Sequence, residues 1–331
     1  MNAEPRPAPS GIAARLRLAV EWKRMQIRAW WMRTLRRAAG RAFIRVRWPW
    51  PLRKPWQRDR LRIASFGGGV GDEMMCTPIF REIKRRNPRC RVTFLSRHPE
   101  LHRGNPHLDE VEPFSPDHAG GVYWLTYGPI HPPPRPLIEL MAECIGLDFM
   151  SRELDPPALE PPPEIRRAID AIPAPRIVIQ PLSSRWTPNK NWPAESWAEL
   201  VAMLAAKFDV IEVGGETLFP GREFGPRFHN FCGRTDLAGF AHAIRSAAVF
   251  IGPVSSGMHL ANAFKVPAVV IYGGYESPAG HDYPNTVALY SPVPCAPCWL
   301  GSDCPYDRKC LRMIEPKRVF EIVCGMVAPQ S

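Results

Sequence analysis

Residues 61–96, LRIASFGGGVGDEMMCTPIFREIKRRNPRCRVTFLS, contain the alternation that decides the fold. The apolar run at residues 61–66 predicts a buried strand, the glycines after it predict a tight loop, and residues 74–88 predict a helix. The next apolar run, Arg91–Ser96, predicts a second strand. Strand, loop, helix and strand form a βαβ unit. We therefore predict an α/β fold with a parallel sheet that binds its ligand at the carboxyl ends of the strands.

The glycine loop carries carboxylates where a phosphate-binding loop has none. Asp72 and Glu73 follow the glycines directly, and their charge would repel a phosphate group. The spacing also matches neither G-x-G-x-x-G nor G-x-x-x-x-G-K-[ST]. Two interpretations of Asp72 stay open at this point. It is either a helix cap, a position that aspartate favours, or a carboxylate that faces a cleft and acts as a general base.

Residues 155–175 are rich in proline and separate two stretches that each alternate between strands and helices. We predict an N-terminal Rossmann-like domain at residues 61–160 and a C-terminal Rossmann-like domain at residues 176–331. A linker with one short helix is predicted between them, at residues 161–175. The length of 331 residues suits two domains of this kind.

Two segments of the C-terminal domain are predicted to bind a diphosphate. The first lies beyond a predicted strand and offers hydroxyl groups and a cation from Ser183, Ser184 and Lys190. The second is the start of a predicted helix, formed by Ser255, Ser256 and Gly257. Free backbone N–H groups and the helix dipole favour an anion there, although serine is equally typical of a simple helix cap. His259 lies one turn further along, where it either packs or contacts a ligand.

The net charge of +11 is concentrated in the first part of the chain. Residues 1–62 contain 17 Lys and Arg against 3 Asp and Glu, whereas the remaining residues contain 26 against 29. We predict a basic, tryptophan-bearing extension at residues 1–60 with a helix at residues 12–39. This extension either contacts an anionic membrane surface or is a solvated arm. Because the basic excess is confined to it, a nucleic-acid-binding body is disfavoured.

Four of the nine cysteines lie close together in the sequence, at Cys295, Cys298, Cys304 and Cys310. Their spacing is compatible with a structural zinc site, with disulfides or with free thiols, and these three alternatives stay open, with the zinc site favoured. No histidine or other base is patterned around them, so we expect no catalytic role for this cluster.

Several segments, in order, resemble glycosyltransferase family 9, the ADP-heptose:lipopolysaccharide heptosyltransferase family. They are GDEMMCTPIFREIKRRNP, KNWPAESWAEL, VGGE, MHLANAFKVPAVVIYGG and the cysteine-bearing segment that begins with CAPCW. The resemblance covers roughly residues 61–324. Each segment alone is a weak signal, and their order and spacing make the resemblance specific.

The resemblance implies a GT-B fold, in which two Rossmann-like domains face each other across a cleft. It implies an inverting enzyme that moves a heptose or related sugar from a nucleotide diphosphate sugar, such as ADP-heptose, to lipopolysaccharide or another cell-surface glycan. Asp72 matches the family's catalytic aspartate, which takes the proton of the attacking hydroxyl. The acceptor-side loop is matched by Gly69, Gly71 and Glu73.

The donor side is implied in the same way. The diphosphate would be bound by the two segments described above, without a required metal ion. Gly215 and Glu216 fall where the family has a carboxylate for the nucleotide ribose. Where the family has an aspartate for the donor sugar, this chain has Val254, and we expect Tyr275 or Glu276 to replace it.

Two other classes of protein are also compatible with the sequence. A non-catalytic nucleotide-sugar-binding or scaffold relative is favoured by Val254, whereas Asp72 and Lys190 argue against it. A nucleic-acid binder would act through the basic extension alone. The sequence has no apolar run long enough to span a bilayer and no export signal, so we expect a cytoplasmic protein at the inner face of the membrane.

Overall fold

The computed structural model describes residues 54–115, 121–127, 133, 135–148, 151–183 and 187–327. Residues 1–53 lie outside these ranges, and with them the predicted helix at residues 12–39 and nearly all of the predicted extension. Ser184 also lies outside the described residues. The described part is α/β and contains two parallel sheets, which confirms the predicted fold class.

The first sheet has four parallel strands. They are β1 (Arg60–Ser65), β2 (Arg91–Ser96), β3 (Glu110–Pro113) and β4 (Tyr123–Leu125), in the order β3-β2-β1-β4. In the central pair Ile63 lies opposite Phe94, and both side chains are buried. Burying a side chain of this kind contributes about 1.5–3 kcal/mol, which explains why the two apolar runs form the middle of the sheet.

The helix predicted at residues 74–88 is two helices in the structure, α1 (Val70–Met74) and α2 (Thr77–Arg86). The break follows from Pro78, which has no N–H group to donate to the carbonyl of Met74 in a continuous helix. The Thr77 hydroxyl donates to that carbonyl instead, at 2.9 Å. A further helix, α3 (Leu137–Glu143), completes this half of the chain.

The second sheet has six parallel strands. They are β5 (Arg176–Ile179), β6 (Asp209–Glu212), β7 (Phe228–Asn230), β8 (Val249–Pro253), β9 (Ala268–Gly273) and β10 (Thr286–Tyr290). Their order is β10-β9-β8-β5-β6-β7, so the direction in which strands are added reverses between β5 and β8. Ligands of open α/β sheets bind beside the carboxyl ends of the strands at such a switch point.

Six helices accompany the second sheet. They are α4 (Pro163–Asp170), α5 (Ala194–Ala205), α6 (Leu237–Arg245), α7 (Ser256–Ala263), α8 (Lys309–Arg312) and α9 (Pro316–Val327). The larger hydrophobic core contains residues of both sheets, for example Ile63 and Val178. None of the helices in the described ranges is both long and apolar enough to cross a bilayer.

Candidate active site

The glycine loop after β1 is shaped by three side chains that pack directly on its backbone. A Cβ on Gly67 would collide with the carboxylate of Asp72, and one on Gly68 would collide with the guanidinium of Arg97. Gly68 also has a φ of +62°, which favours glycine. A Cβ on Gly71 would lie 2.6 Å from His259 Cδ2. The glycines are therefore needed because side chains from elsewhere occupy the space beside them.

Asp72 is the half-buried carboxylate of this loop, and it lies in the first turn of α1. Its Oδ2 accepts the Gly69 N–H at 3.2 Å and its Oδ1 accepts the Tyr127 hydroxyl at 3.2 Å. Burial raises the pKa of Asp72 above its ordinary value, and the two hydrogen bonds and the charge of Lys190 only partly oppose this. Asp72 thus caps the helix and is also a strengthened base, because a desolvated carboxylate binds a proton more readily.

Glu73, its neighbour, points into the protein and is 1% exposed. It accepts the Ser96 hydroxyl at 2.5 Å and the Arg97 N–H at 2.7 Å, and His102 Nε2 lies 3.2 Å from it. Burial raises the pKa of Glu73, but the hydrogen bonds from His102 and Ser96 outweigh it and the net shift is downward. Glu73 was predicted to belong to the acceptor-side loop with Gly69 and Gly71, and the structure corrects this by burying its side chain against the end of β2. Its role is to fix the end of β2.

Lys190 lies among three groups near the carboxyl ends of the second sheet. Its Nζ forms an ion pair with Glu276, lies 3.4 Å from the Val254 carbonyl oxygen and lies 5.1 Å from the centre of the Tyr275 ring. Val254 is buried and offers this site only its backbone carbonyl. A carboxylate missing at position 254 is thus present close by, on Glu276.

Glu276 is a buried charge, with 3% of the residue exposed. Its second oxygen lies 3.2 Å from His281 Nε2. Burial raises the pKa of Glu276, but Lys190 and His281 more than offset this and bring it down to about 2. The carboxylate is therefore ionised at neutral pH, and its charge depends on Lys190.

His259 joins the second sheet to the glycine loop. Its ring packs on Gly71, and its Nδ1 lies 2.7 Å from the Tyr283 hydroxyl. Burial lowers the pKa of His259 well below its ordinary value, and His281 and Lys190 lower it further. A neutral, buried imidazole at this place is a packing group that positions the loop which carries Asp72.

One free N–H group at the start of α7 already has a partner, the side chain of Gln180, which the sequence did not reveal. The Gly257 N–H donates to Gln180 Oε1 at 3.2 Å, and Gln180 Nε2 lies 3.4 Å from Ser255 Oγ. Ser256 is the first residue of the helix. In the sequence, Gln180 stands out only as a polar residue at the end of the apolar run RIVIQ.

The other predicted donor residues lie apart from one another. The Ser183 N–H and hydroxyl both donate to Asn191 Oδ1, at 2.9 and 2.8 Å, so Ser183 is tied to the segment that carries Lys190. Gly215 and Glu216 follow β6 and are exposed. They therefore lie at the carboxyl edge of the sheet. Their strand, β6, is the neighbour of β5, which borders the switch point.

Tyr127 is the second residue that the sequence did not reveal. It follows the short strand β4 and contacts Asp72, and the charges of Asp72 and Glu276 both act on its hydroxyl. Lys190 and Glu276 in turn act on the charge of Asp72. The structure therefore brings a base, a cation and a buried carboxylate close enough to interact electrostatically, although Lys190 and Glu276 come from segments that follow strands of the other sheet.

The loop that contains the cysteine cluster packs on both segments that supply this charge pair. The side-chain amide of Asn189, next to Lys190, donates to the carbonyl oxygens of Leu300 and Ser302 at 2.8 and 2.7 Å. The Trp299 N–H donates to the carbonyl of Tyr275, next to Glu276, at 3.1 Å. The loop therefore fixes Lys190 and Glu276 relative to each other.

The four cysteines of this loop are free thiols in the structure. Burial, together with the proximity of Cys295, Cys310 and Cys304, raises the pKa of Cys298 to about 11. Within the described ranges, no group of three or more His, Cys, Asp or Glu residues is arranged to bind a metal ion. Thiols are suitable ligands for zinc, and a zinc ion at these four cysteines stays a prediction.

Comparison with known proteins defines the class of protein. The sequence model of glycosyltransferase family 9 (heptosyltransferase) matches residues 135–298. The chain is a glycosyltransferase, and the resemblance found in its sequence is confirmed. Residues 135–298 carry the family 9 domain. A search of curated protein sequences gave no significant match.

Solved glycosyltransferase structures are similar to most of the chain. The ADP-heptose lps heptosyltransferase II of E. coli is 16% identical with a TM-score of 0.60, over 81% of this chain and 98% of that one. The family 9 glycosyltransferase of Veillonella parvula is 17% identical with a TM-score of 0.61, over 81% and 97%. The iron-containing dodecameric glycosyltransferase TibC of enterotoxigenic E. coli is 20% identical with a TM-score of 0.62, over 80% and 78%. At these identities the likeness supports the GT-B fold.

Proposed function

We propose that this enzyme moves a heptose or related sugar from a nucleotide diphosphate sugar to a hydroxyl group of lipopolysaccharide or another cell-surface glycan, with inversion at the anomeric carbon. The observation that carries the proposal is the environment of Asp72. Its carboxylate is oriented by Gly69 and Tyr127, and burial raises its pKa. A base of this kind suits the removal of one proton from an attacking hydroxyl.

The proposed reaction is a single displacement. The acceptor oxygen bonds to the anomeric carbon while its proton passes to the carboxylate of Asp72. The bond between the anomeric carbon and the diphosphate oxygen breaks, and the leaving diphosphate takes the electron pair. Lys190 and the N–H groups at the start of α7 would stabilise the added negative charge, so we propose that no metal ion is required.

Donor recognition is proposed to use the second sheet. Lys190, which now pairs with Glu276, would turn to the diphosphate, and Glu276 would then accept hydrogen bonds from sugar hydroxyls in place of the aspartate that Val254 replaces. Glu216 would bind the ribose. ADP-heptose is the favoured donor, because TibC has been solved with ADP-D-β-D-heptose and the E. coli heptosyltransferase WaaC with ADP. The acceptor would be reached at the inner face of the membrane, which the basic extension would contact.

A thermal-shift measurement tests the donor prediction. ADP-heptose and ADP should raise the melting temperature of the full chain, and UDP, GDP and dTDP sugars should not, because a ligand that binds only the folded state stabilises it. The matched control is adenosine, which lacks the diphosphate and should give no shift. If no nucleotide raises the melting temperature, the non-catalytic scaffold is favoured instead. If only another class of nucleotide sugar raises it, that class replaces ADP-heptose as the proposed donor.

The cysteine cluster carries a separate prediction. TibC is an iron-containing relative, and four thiols are suitable ligands for iron or zinc once they converge. Protein purified without a metal-affinity tag should contain about one zinc or iron ion per chain. The paired substitution Cys298→Ser and Cys310→Ser should remove it, whereas Cys324→Ser, outside the cluster, should not. A metal content near zero in the unmodified protein would contradict the prediction and leave packing alone to order the loop.

A further inference from the structure

Phe66 is an apolar side chain that the described part of the chain leaves largely in solvent. It directly follows β1, and 67% of the residue is exposed. Its N–H donates to the Leu125 carbonyl at 2.9 Å, so the backbone continues the pairing of β1 with β4. The ring is therefore presented to solvent from a fixed backbone. A single exposed apolar side chain is ordinary, so the significance of Phe66 depends on the groups beside it.

Two aromatic rings and a cation adjoin this side chain. Trp124 meets Phe66 edge-on with ring centres 6.3 Å apart, and Phe114 meets Trp124 at 5.8 Å. The Arg97 guanidinium lies 4.6 Å from the centre of the Phe114 ring. These residues lie at the carboxyl ends of the strands of the first sheet. The surface is called the aromatic platform below and consists of Phe66, Arg97, Phe114 and Trp124.

The aromatic platform is continuous with the loop that carries Asp72. The Asp72 carboxylate packs against Gly67, and Arg97 Nη1 donates to the Gly67 carbonyl oxygen at 3.2 Å. Arg97 is exposed, and its guanidinium contacts the Gly67 carbonyl and the Phe114 ring. Gly67 therefore connects Phe66 to the carboxylate of Asp72, which would take the proton of the acceptor hydroxyl.

We propose that the aromatic platform is the acceptor subsite and that it binds a sugar ring by its apolar face. The face of an aromatic ring carries partial negative charge, which attracts the C–H groups of a sugar. Arg97 donates hydrogen bonds to the same sugar, and it binds an acidic sugar more tightly than a neutral one because charge-assisted hydrogen bonds are stronger. This inference rests on the proposed function, since it assigns the acceptor of the same site.

The test measures binding of two small glycosides to the full chain by saturation-transfer NMR. The probes are methyl β-D-glucuronide, which is acidic, and methyl β-D-glucoside, which is neutral. We expect both to bind, the glucuronide more tightly. Phe66→Ala should weaken both by about 10-fold, and Phe66→Tyr, which keeps the ring, should restore them. Arg97→Ala should weaken the glucuronide by about 10-fold or more and bring its affinity close to that of the glucoside.

Two matched variants control for general surface effects. Met313 is another exposed apolar residue, at 56%, and Met313→Ala should leave both affinities unchanged. Arg89 is exposed near the other end of β2, and Arg89→Ala should likewise have no effect. ADP is titrated into every variant, because ADP affinity reports the donor site independently of the aromatic platform.

The outcomes separate the two proposals. Unchanged glycoside affinity in Phe66→Ala and Arg97→Ala, or no binding of either glycoside to the unmodified chain, would overturn the platform while ADP binding still supports the donor site. If the unmodified chain does not bind ADP, the proposed function itself is contradicted. If Phe66→Ala instead abolishes binding to phosphatidylglycerol vesicles and leaves glycoside binding intact, the ring is a membrane contact and the acceptor proposal is wrong.

Discussion

Replacing Asp72 with asparagine should lower the turnover of sugar transfer by about 100- to 10,000-fold, because it removes a general base and keeps the shape of the side chain. The asparagine oxygen can still accept the N–H of Gly69, so the cap at the start of α1 should survive. The affinity for ADP and the melting temperature should therefore change little. The measurement is single-turnover transfer with saturating donor, accompanied by ADP titration.

The control for this substitution is Tyr127→Phe, which removes one hydrogen bond to Asp72 and leaves the carboxylate in place. It should reduce turnover far less than Asp72→Asn does. The pH dependence gives a second check. Because burial raises the pKa of Asp72 above 3.8, activity should fall on acidification while the pH is still above the ordinary value for aspartate. Full activity in Asp72→Asn would leave Asp72 with only a capping role.

Replacing Lys190 with alanine should have two large effects, one on binding and one on stability. The affinity for ADP should fall by about 10- to 100-fold, because a charge-assisted contact to the diphosphate is lost. The free energy of unfolding at neutral pH should fall by about 3 kcal/mol, because Glu276 is left as a buried charge without its cation. Isothermal titration and urea unfolding measure the two effects separately.

The double variant Lys190→Ala with Glu276→Gln separates these effects. Removing the orphaned carboxylate should restore much of the stability without restoring the affinity for ADP. Lys265→Ala is the surface control, since Lys265 pairs with Glu153 in an ion pair with both side chains more than half exposed. It should change the stability by less than about 1 kcal/mol. Unchanged ADP affinity in Lys190→Ala would mean that the diphosphate binds elsewhere.

The pH dependence of stability follows from Glu276. Its pKa is about 2 in the folded protein, against an ordinary value of 4.5, so the folded state binds its proton less readily than the unfolded chain does. The resulting stabilisation is fully present above about pH 4.5 and is lost as the pH falls towards 2. The stability difference between the unmodified protein and Lys190→Ala should therefore shrink across that window.

Much of the fold was predictable because its signals are local. Apolar runs such as residues 61–66 and 91–96 form strands wherever both faces can be buried, and glycine and proline mark the turns between them. Asp72 and Lys190 were singled out by their positions after predicted strands, and the resemblance to a family then assigned their roles. The division of one predicted helix at Pro78 was also encoded locally, and the capping hydroxyl of Thr77 lies next to that proline.

The roles of neighbouring carboxylates were decided only by the tertiary structure. Asp72 and Glu73 are consecutive in α1, so their side chains point about 100° apart and can meet different surroundings. The packing of α1 on the first sheet turns Glu73 towards Ser96 and His102 and leaves Asp72 beside Tyr127. The sequence of the helix alone does not contain that rotation.

The sequence by itself determined the α/β alternation, the glycine loop and the absence of an aspartate at Val254. The tertiary structure decided what replaces that aspartate, since the pairing of Lys190 with Glu276 joins residues far apart in the chain. It likewise decided that Arg97 lies over Gly68 and that His259 packs on Gly71. Such contacts depend on how strands and helices from distant segments pack together, and local residue patterns carry no record of that packing.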